Sequence, residues 1–433
     1  MRQPADSAMA KPFPDSLWLA SASAAPEFEA LSGAHETDVA VIGGGFTGLS
    51  TALHLARAGH AVTVVEAQAP GWGASGRNGG QVNPGWKILP SELAERLGEA
   101  PAQALCTMLG EATDLVFELI ERYSIDCDPV HSGYIQGAVG ARGVKFAQSW
   151  YDEWARFGAP VELLDKAQVS GEIGTEYYDG GVLDARGGNV QPLSYCRGLA
   201  MAAAHEGAQI FADSAVERVR ADGPDWLLET NSGTLKAKSV VIGTNGYTDG
   251  LWRGLKQNVV PVKSVIVATA PLGNNTVSTL LRERRHVSET LRVQAYYRLD
   301  RDDRLVFGGR GGTFDAPEAF DGEHLKRRAR AMFPQIGDVD WEYCWGGYVA
   351  MTPDHTPKLL QLDERVYAGM GYNGRGVAMA TLMGKQLAAC VTGVGTAMPI
   401  TPSRPILGHS LRKLGISWRV VSGRMMDQWD ENV

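Results

Sequence analysis

Three glycines that directly follow an apolar run could hold a diphosphate group. The run Val39–Ile42 leads into Gly43, Gly45 and Gly48, which have the spacing G-x-G-x-x-G. In this spacing the first glycine allows a tight strand-to-helix turn, the second lets a pyrophosphate approach the backbone, and the third lets helix and strand pack closely. The helix predicted over residues 47–58 would direct free N–H groups and its positive dipole end at the phosphates.

A carboxylate stands where the ribose of a dinucleotide needs one. A second apolar strand, Ala61–Val65, ends at Glu66, within about 20 residues of the glycines. Glu66 would accept hydrogen bonds from the ribose hydroxyls, and its charge disfavours NADP, whose 2′-phosphate is also negative. FAD and NAD stay open at this point, because both contain the same ADP half. The alternative is a glycine-rich turn without a ligand, which the complete strand, helix and acid pattern disfavours.

A second glycine-rich segment follows at Trp72–Gln81, with the sequence WGASGRNGGQ. The segment is too polar, and its residues are too small, for a core strand. Together with the fingerprint it resembles the amino-acid and amine oxidase family of FAD enzymes, which includes glycine, sarcosine and D-amino-acid oxidases. The wording GASGRNGGQ is similar to the γ-glutamylputrescine oxidase and L-pipecolate oxidase branch. For this segment alone, a mobile surface loop is the alternative.

Two later segments extend the resemblance over residues 37–400. Val240–Gly246 resembles the strand that returns the chain to the FAD, with Asn245 in place of the usual glycine. Val366–Val377 resembles the second flavin loop of the family. The resemblance implies that the helix beginning near Val377 points its N-terminus at the pyrimidine edge of the flavin, where reduction places negative charge.

The resemblance implies FAD as the cofactor. The flavin contacts that it implies are Gly43, Gly45, Phe46, Thr47, Gly48, Glu66, Ala67, Gly73, Ala74, Ser75, Arg77, Asn78, Gly79, Gly80, Val216, Thr244, Asn245, Gly246, Gly371, Asn373, Gly374, Gly376 and Val377. Some relatives attach FAD covalently through a histidine or a cysteine. Asn78 and Gly347 stand at about those positions here, which implies non-covalent FAD. Cys344 lies close by, and a shift of register would restore the covalent alternative.

The resemblance also implies a reaction class. Enzymes of this family oxidise the C–N bond of a small amine or amino-acid derivative by hydride transfer to flavin N5, and water then hydrolyses the imine. Oxygen would reoxidise the flavin and give hydrogen peroxide. The expected substrates are similar to γ-glutamylputrescine or to a cyclic imino acid such as pipecolate. One alternative is a dehydrogenase of the same fold that uses a quinone or another carrier, and a second is a non-catalytic FAD-binding redox sensor.

The sequence patterns identify the substrate-binding residues less specifically than the flavin contacts. Sarcosine oxidases hold the substrate carboxylate with an arginine and a lysine, but Val82 and Ala378 stand at those positions here. The candidate cationic anchors are Lys263, Arg298, Arg310 and Arg375. Arg375 is favoured because its loop should lie against the flavin and a guanidinium matches a carboxylate. The predicted catalytic set is Tyr372, Arg375, Trp345 and Tyr348. For each of them, an ion pair or ordinary core packing is the alternative.

The elements that must position these residues predict an α/β fold. Three β-branched runs that end in glycine, at 39–43, 240–243 and 366–369, indicate one parallel sheet. Helical spacing over Glu92–Tyr123 and alternating runs between 259 and 348 indicate helices and antiparallel strands. We therefore predict a Rossmann-type FAD-binding domain interleaved with a strand-rich antiparallel substrate domain. The predicted division is an arm at 1–36, an FAD-binding domain at 37–91, 150–247 and 341–400, a substrate domain at 92–149 and 248–340, and a tail at 401–433.

Composition disfavours several other classes of function. The 433 residues carry a net charge of −8, which argues against a broad basic surface for nucleic acid or anionic lipid. The five cysteines and the histidines show neither disulfide nor metal spacing. We find no run of about 18 apolar residues, the length that a membrane span needs. We therefore expect a cytoplasmic protein whose partners are a small amine substrate and O2 or another electron acceptor.

Overall fold

The computed structural model describes residues 12–314, 316 and 318–431. The strands are β1 (Gly33–Ile42), β2 (Val62–Val65), β3 (Gln81–Val82), β4 (Tyr134–Ala138), β5 (Val161–Leu164), β6 (Gly180–Asp184), β7 (Gly188–Asn189), β8 (Gln209–Phe211), β9 (Arg218–Asp222), β10 (Asp225–Glu229), β11 (Gly233–Ile242), β12 (Val260–Thr269), β13 (His286–Glu289), β14 (Tyr296–Leu299), β15 (Leu305–Arg310), β16 (Trp341–Met351), β17 (Lys358–Asp363), β18 (Val366–Met370) and β19 (Ile400–Pro402). The helices are α1 (Leu17–Ala20), α2 (Phe46–Arg57), α3 (Pro90–Leu97), α4 (Glu99–Gly110), α5 (Ala112–Arg122), α6 (Gly140–Arg156), α7 (Lys166–Ile173), α8 (Pro192–His205), α9 (Asn274–Val277), α10 (Glu323–Met332), α11 (Gly376–Thr392) and α12 (Arg412–Glu431).

The first sheet has the strand order β19-β17-β18-β11-β1-β2-β8, and β10 and β9 continue it beside the first half of β11. Its five strands β18, β11, β1, β2 and β8 run parallel. The apolar run Val39–Ile42 is buried, as expected for a parallel strand covered on both faces. Side chains of α2, α5, α8 and α11 form the core on one of those faces. These features confirm the predicted Rossmann-type α/β fold.

The second sheet has the strand order β16-β12-β15-β14-β13-β4-β6-β5. All of its pairs are antiparallel except β13 with β4. The predicted alternating runs become β12 and β15, whose inward residues form a core with the apolar side of α10. The antiparallel strand-rich part of the prediction is thereby confirmed.

Sheet membership corrects the predicted boundaries at three places. β5 and β6 lie in the second sheet, although 150–247 was assigned with the first. β16 also lies in the second sheet, paired along its length with β12. The helices α4 and α5, assigned with the second sheet, contribute to the core beside α2 and α11. Hydrophobic periodicity identifies strands and helices, but it does not say which distant partner they pair with.

Helix α1 and the first half of β1 precede Thr37, the predicted start of the FAD-binding domain. Residues 1–11 of the predicted arm lie outside the described residues. From there, α1 buries Leu17 and Trp18, and Ser16 caps it by accepting a hydrogen bond from a helix N–H. β1 begins at Gly33, because its first half pairs with β11 even though it faces solvent.

Candidate active site

The loops that follow the parallel strands of the first sheet meet at one edge. Gly43 follows β1, Glu66 follows β2, and residues 212–216 follow β8. Residues 243–246 follow β11, and residues 371–375 follow β18. Parallel strands place their carboxyl ends at the same edge, and open α/β sheets bind ligands there. The edge therefore gathers most of the flavin contacts that the sequence predicted.

The fingerprint glycines leave no room for side chains at the turn from β1 to α2. A Cβ atom at Gly48 would lie 2.0 Å from the Gly43 carbonyl oxygen, and one at Gly45 would lie 2.8 Å from Ser75 Oγ. The Phe46 N–H donates to Ser75 Oγ (3.0 Å), which fastens the first glycine-rich loop to α2. The N-cap residue of α2 is Gly45, which has no side chain to accept a hydrogen bond. Its other first-turn N–H groups are therefore available to an anionic ligand.

Glu66 is fixed by backbone donors. Its carboxylate accepts hydrogen bonds from the N–H groups of Gly44 (2.5 Å) and Gln68 (3.0 Å). Burial raises the pKa of Glu66, and the two N–H donors oppose that shift. Ala67 beside it is exposed. A carboxylate has about four acceptor positions, so two remain for ribose hydroxyls.

The first glycine-rich loop is closed by its own hydrogen bonds. Asn78 Nδ2 donates to the Ser75 carbonyl (3.0 Å), and Asn78 Oδ1 accepts from the Gly80 N–H (2.8 Å). Gly73 precedes a single 3-10 turn, Ala74–Gly76. The Asn78 side chain therefore shapes the loop, and its contact with the flavin stays a prediction.

Arg77 is buried inside the same loop. Its Nε donates to the Trp72 carbonyl (2.8 Å), and its guanidinium lies 4.3 Å from the centre of the Trp72 ring. The carbonyl of Arg77 accepts the indole N–H of Trp345 (3.0 Å). Trp345 is fully buried. The structure therefore places this member of the predicted catalytic set beneath the loop, where it supports the backbone.

Two distant residues, Trp18 and Arg298, donate hydrogen bonds to this loop. Trp18 was not among the predicted site residues, and Arg298 was predicted to bind a carboxylate instead. Trp18 donates its indole N–H to the Asn78 carbonyl (2.7 Å) and packs edge-on against Trp345 at 5.6 Å. Arg298, a candidate anchor, donates to the Gly79 carbonyl (2.9 Å) and lies over the Trp18 ring. The apolar patch around Trp18 was the available signal for α1. No sequence pattern indicates that a buried arginine will bond to a distant loop.

Asn245 replaces a glycine without loss of the turn after β11. Its φ of +44° lies in the left-handed region, which asparagine tolerates better than most residues. Its Oδ1 accepts the N–H of Gly371 (2.9 Å), so it ties the loop after β11 to the loop after β18. Thr244 precedes it, and a Cβ atom at Gly246 would lie 3.0 Å from the Tyr348 carbonyl oxygen.

The second flavin loop is held by Asn373 and leads into α11. Asn373 has φ +52°, and its side chain accepts the Thr352 N–H (2.8 Å) and donates to the Gly371 carbonyl (2.6 Å). The helix begins at Gly376, Val377 is buried, and no side chain caps this end. The first-turn N–H groups of α11 are therefore available to a ligand.

The remaining predicted site residues are Tyr372, Tyr348 and Val216, and each is held by different neighbours. Tyr372 is buried, and its hydroxyl lies 2.7 Å from Thr47 Oγ1, which joins the second flavin loop to α2. Tyr348 is half-buried and packs edge-on against Tyr247 at 5.8 Å. Val216 is half-buried against the core of the first sheet. Catalytic roles for the two tyrosines stay predictions.

The four candidate carboxylate anchors differ in the hydrogen bonds that they already make. Lys263 and Arg375 each donate to backbone carbonyls, and Arg298 is committed to the first loop. Arg310 differs from them. Its Nη2 reaches Thr313 Oγ1 at 3.4 Å, but its buried Nε has no hydrogen-bond partner among the residues described. Arg310 therefore keeps a buried donor for a ligand, whereas the favoured Arg375 already uses Nη1 to donate to the Pro84 carbonyl.

Lys87, which the sequence analysis did not select, lies between loops of the two sheets. Many protein atoms surround its side chain, but the residue is exposed to solvent. Its Nζ donates to Gln294 Oε1 (2.9 Å), and a Cβ atom at Gly374 would lie 3.7 Å from the same nitrogen. Burial and the charge of Arg375 lower the pKa of Lys87 to about 8.

Arg310 also lies in a positive environment. Burial and the charge of Arg424 on α12 lower the pKa of Arg310 to about 10. Within the described part of the chain, no salt bridge joins Arg310, Arg424, Lys87 or Arg375 to an acid. Positive charge that the protein leaves unpaired favours an anionic group on a ligand.

The residues at the carboxyl edge fit FAD. The cradle formed by Gly45 and Gly48, the two uncapped helix starts and the free acceptor positions of Glu66 are what a dinucleotide requires. No described cysteine is in a disulfide, and Cys344 Sγ approaches the Phe320 carbonyl at 3.5 Å.

The chain is similar to several known proteins over most of its length. The chain is 33% identical over 381 residues to the γ-glutamylputrescine oxidoreductase of Escherichia coli (strain K12), covering 87% of this chain and 89% of the relative. It is 29% identical to a D-amino acid dehydrogenase of Methylobacterium nodulans, covering 82% and 95%. The crystal structure of glycine oxidase from Geobacillus kaustophilus matches with a TM-score of 0.69 at 26% identity, covering 84% and 97%. Residues 38–390 match the family model described as DAO, FAD dependent oxidoreductase, and the chain therefore belongs to this family of FAD enzymes.

Proposed function

We propose that this enzyme oxidises the C–N bond of a small amine or amino-acid derivative that carries a carboxylate, with O2 as the electron acceptor. A γ-glutamylated polyamine or a cyclic imino acid has the required groups. The supporting observation is the unpaired positive charge at Arg310, at the end of β15, and at Lys87, whose Nζ lies close to Gly374 in the second flavin loop. The similarity to an oxidoreductase named for γ-glutamylputrescine supports the same substrate class.

We assign the carboxylate to Arg310. Its Nε and Nη groups present parallel donors, and a guanidinium pairs with a carboxylate through two hydrogen bonds. A carboxylate there would also relieve the repulsion between Arg310 and Arg424. Lys263 and Arg298 already donate to backbone carbonyls, and they would have to break these hydrogen bonds to bind a carboxylate.

The cations near the site also prepare the amine for oxidation. Bound FAD supplies the hydride acceptor, and it needs the substrate nitrogen unprotonated. The charges of Lys87 and Arg375 disfavour a neighbouring ammonium and lower its pKa, so the neutral amine is more populated in the site than in water. The protein residues thus hold the carboxylate and bias the proton equilibrium of the nitrogen.

The two sheets would have different roles, one in binding FAD and the other in binding the substrate. We propose that the first sheet and its edge loops hold FAD non-covalently, since Asn78 and Gly347 replace the attaching residues of some relatives. The second sheet would cover the substrate, with Arg310 at the end of β15. A cytoplasmic location fits the free cysteines of the described chain.

A dehydrogenase is the second candidate, supported by the similarity to D-amino acid dehydrogenases. One experiment separates the two. The visible spectrum of the purified protein is recorded before and after anaerobic addition of γ-glutamylputrescine, L-pipecolate, sarcosine, D-amino acids and polyamines. Bleaching by one compound, followed by recovery and peroxide in air, supports the oxidase. Bleaching that only a quinone reverses supports the dehydrogenase, and a flavin-containing protein that no carboxylated amine reduces contradicts the proposal.

A further inference from the structure

An apolar stripe begins at the residue before α12 and runs along the outer face of that helix. It consists of Leu411, Leu414, Trp418, Val421 and Met425, which are 63%, 62%, 73%, 59% and 66% exposed. Their spacing alternates between three and four residues, which places them on one face of a helix. Among the described residues, this stripe has no partner that covers it.

The outward direction of the stripe is fixed by the opposite face of the helix. Gly423 and Asp427 are buried there. The Asp427 carboxylate accepts hydrogen bonds from the N–H groups of Arg292 and Val293, each at 3.1 Å, and from the Arg292 guanidinium at 2.9 Å. The helix therefore cannot turn its apolar side inward without losing this anchor.

The exposed apolar residues of the molecule are concentrated at this place. Of the fourteen large apolar side chains that are exposed in the described chain, seven lie within residues 407–426. Single exposed apolar residues need no explanation, but a contiguous patch marks a surface that binds something. Leu407, which is 98% exposed, extends the patch beyond the start of α12.

The charges around the stripe indicate the kind of partner. Residues 407–426 contain Arg412, Lys413, Arg419 and Arg424 and no acidic residue, in a chain whose net charge is −8. The acids of α12 follow the stripe, at Asp427, Asp430 and Glu431, so a second copy packed parallel along the stripe would set the same basic groups against each other. The positions beside the stripe are also glycine and serine, at 415, 417 and 422, instead of the paired charges typical of coiled coils. An anionic surface is complementary to this segment.

We propose that the apolar stripe of α12 lies in the interfacial region of an anionic lipid bilayer, with the helix parallel to the membrane plane. Leu414 and Val421 would enter the acyl boundary, Trp418 would lie at the headgroup level, and the basic side chains would contact lipid phosphates. In the described chain, α12 included, no helix has the length and apolar character needed to cross a bilayer.

Membrane docking would involve the same helix that borders the site. The buried face of α12 holds Val293, which immediately precedes Gln294, the hydrogen-bond partner of Lys87. Arg424 on α12 also acts on Arg310. A bilayer bound to the stripe would therefore lie on the outer side of the segment that contacts Lys87.

Vesicle sedimentation of the FAD-loaded full chain tests the proposal. We expect binding to vesicles of phosphatidylcholine mixed with phosphatidylglycerol, weaker binding in high salt, and little binding to phosphatidylcholine alone. The double variant W418S/V421S should lower partitioning by roughly tenfold or more, because two apolar side chains no longer enter the boundary. R424Q should lower it by roughly fivefold, the value of one basic residue near an anionic surface. V394S, which changes an exposed valine outside α12, is the matched control.

Two results would overturn the proposal. One is wild-type binding that does not depend on anionic lipid. The other is a W418S/V421S variant with normal flavin content that binds as the wild type does. Size-exclusion chromatography with light scattering is run alongside. A dimer that W418S/V421S converts to a monomer, without vesicle binding by the wild type, would assign the stripe to a second copy of the chain.

Discussion

The close packing of α2 against β1 at Gly48 depends on the absence of a Cβ atom there. A side chain at 48 would meet the Gly43 carbonyl oxygen at 2.0 Å, far inside van der Waals contact. The backbone of α2 would then have to move away from β1. Because the first-turn N–H groups lie on this helix, such a movement would also misplace the phosphate site.

We predict that Gly48→Ala loses most of its bound FAD. The measure is the ratio of absorbance at 450 and 280 nm after purification, with the Tm recorded in parallel. The control is Gly171→Ala, a helical glycine on α7 with open space around it. The control should keep its flavin and gain up to about 1 kcal/mol in stability from helix propensity. Normal flavin content in Gly48→Ala would contradict the steric argument.

Arg310 gives a second prediction for a single residue. Arg310→Met should lower kcat/KM for a carboxylated amine by roughly 30-fold to 100-fold, since a charge-assisted hydrogen bond contributes about 2–3 kcal/mol. The loss should appear mainly in KM. Arg310→Lys should recover part of it, and Arg301→Met, on an exposed arginine, is the control. Equal kinetics in Arg310→Met and the wild type would exclude this residue as the anchor.

The short helix α1 shows how an element far from the motifs contributes to the site. Trp18 supports the first loop through the Asn78 carbonyl and fills a small core with Trp345. We predict that Trp18→Ala lowers stability by about 3–5 kcal/mol. Trp18→Phe removes mainly the N–H donor, so it should weaken FAD binding more than it lowers the Tm.

The measurements for Trp18→Phe are the Kd for FAD, by flavin fluorescence titration, and the Tm. Trp226→Phe on β10 is the matched control, because it also removes an indole N–H that donates to a backbone carbonyl. If both variants bind FAD with the same Kd, the hydrogen bond from α1 does not hold the loop.

The helix α2 makes stability depend on pH through His54. Its Nδ1 lies 2.7 Å from the Ser50 carbonyl, and burial lowers the pKa of His54 to about 4. In the unfolded chain the pKa is near 6.5, so the unfolded chain binds the proton first as the pH falls. The stability present above pH 6.5 is therefore lost progressively toward pH 4.

We predict that His54→Asn reduces the loss of stability between pH 6.5 and pH 4.5 by about 1–2 kcal/mol, a value discounted because the ring is partly solvated. Urea unfolding at several pH values measures it. His205→Asn, at the exposed end of α8, is the control. Parallel pH profiles for the wild type and His54→Asn would contradict the assignment.

At the scale of the whole molecule, the proposed FAD site draws on distant parts of the chain. The residues that would hold FAD come from the starts of α2 and α11 and from loops after β1, β2 and β11. Arg298 of the second sheet also supports the first loop. Because a non-covalent ligand stabilises only the folded state, we predict that the Tm rises with free FAD, by about 2.7 kcal/mol of stability at 100 times the Kd.

Two measurements check this prediction. Calorimetry of the deflavinated protein at increasing FAD should show one transition that moves upward. Acid precipitation of the loaded protein should leave FAD in the supernatant. A yellow precipitate that contains flavin would instead indicate a covalent bond, with Cys344 as the candidate attachment residue.

Local chemistry determined part of the site in advance. The spacing of Gly43, Gly45 and Gly48 and the carboxylate at Glu66 depend on contacts within one strand-helix-strand unit. Such contacts depend on residues that are close in the sequence, so these residues alone predicted the dinucleotide fold. The two flavin loops were predicted from the resemblance to the family. Asn245 was also noted as a departure, but its bond to the Gly371 N–H needed the structure.

Tertiary structure alone decided which sheet each strand joins and which cations are free. β6 and β16 have the same alternation in either sheet, and only their long-range register with β4 and β12 places them. Among the arginines, Arg298 and Arg310 have the same chemistry. Packing buries one against a loop carbonyl and leaves the other with an unused donor, because hydrogen bonds to distant backbone depend on the folded path of the chain.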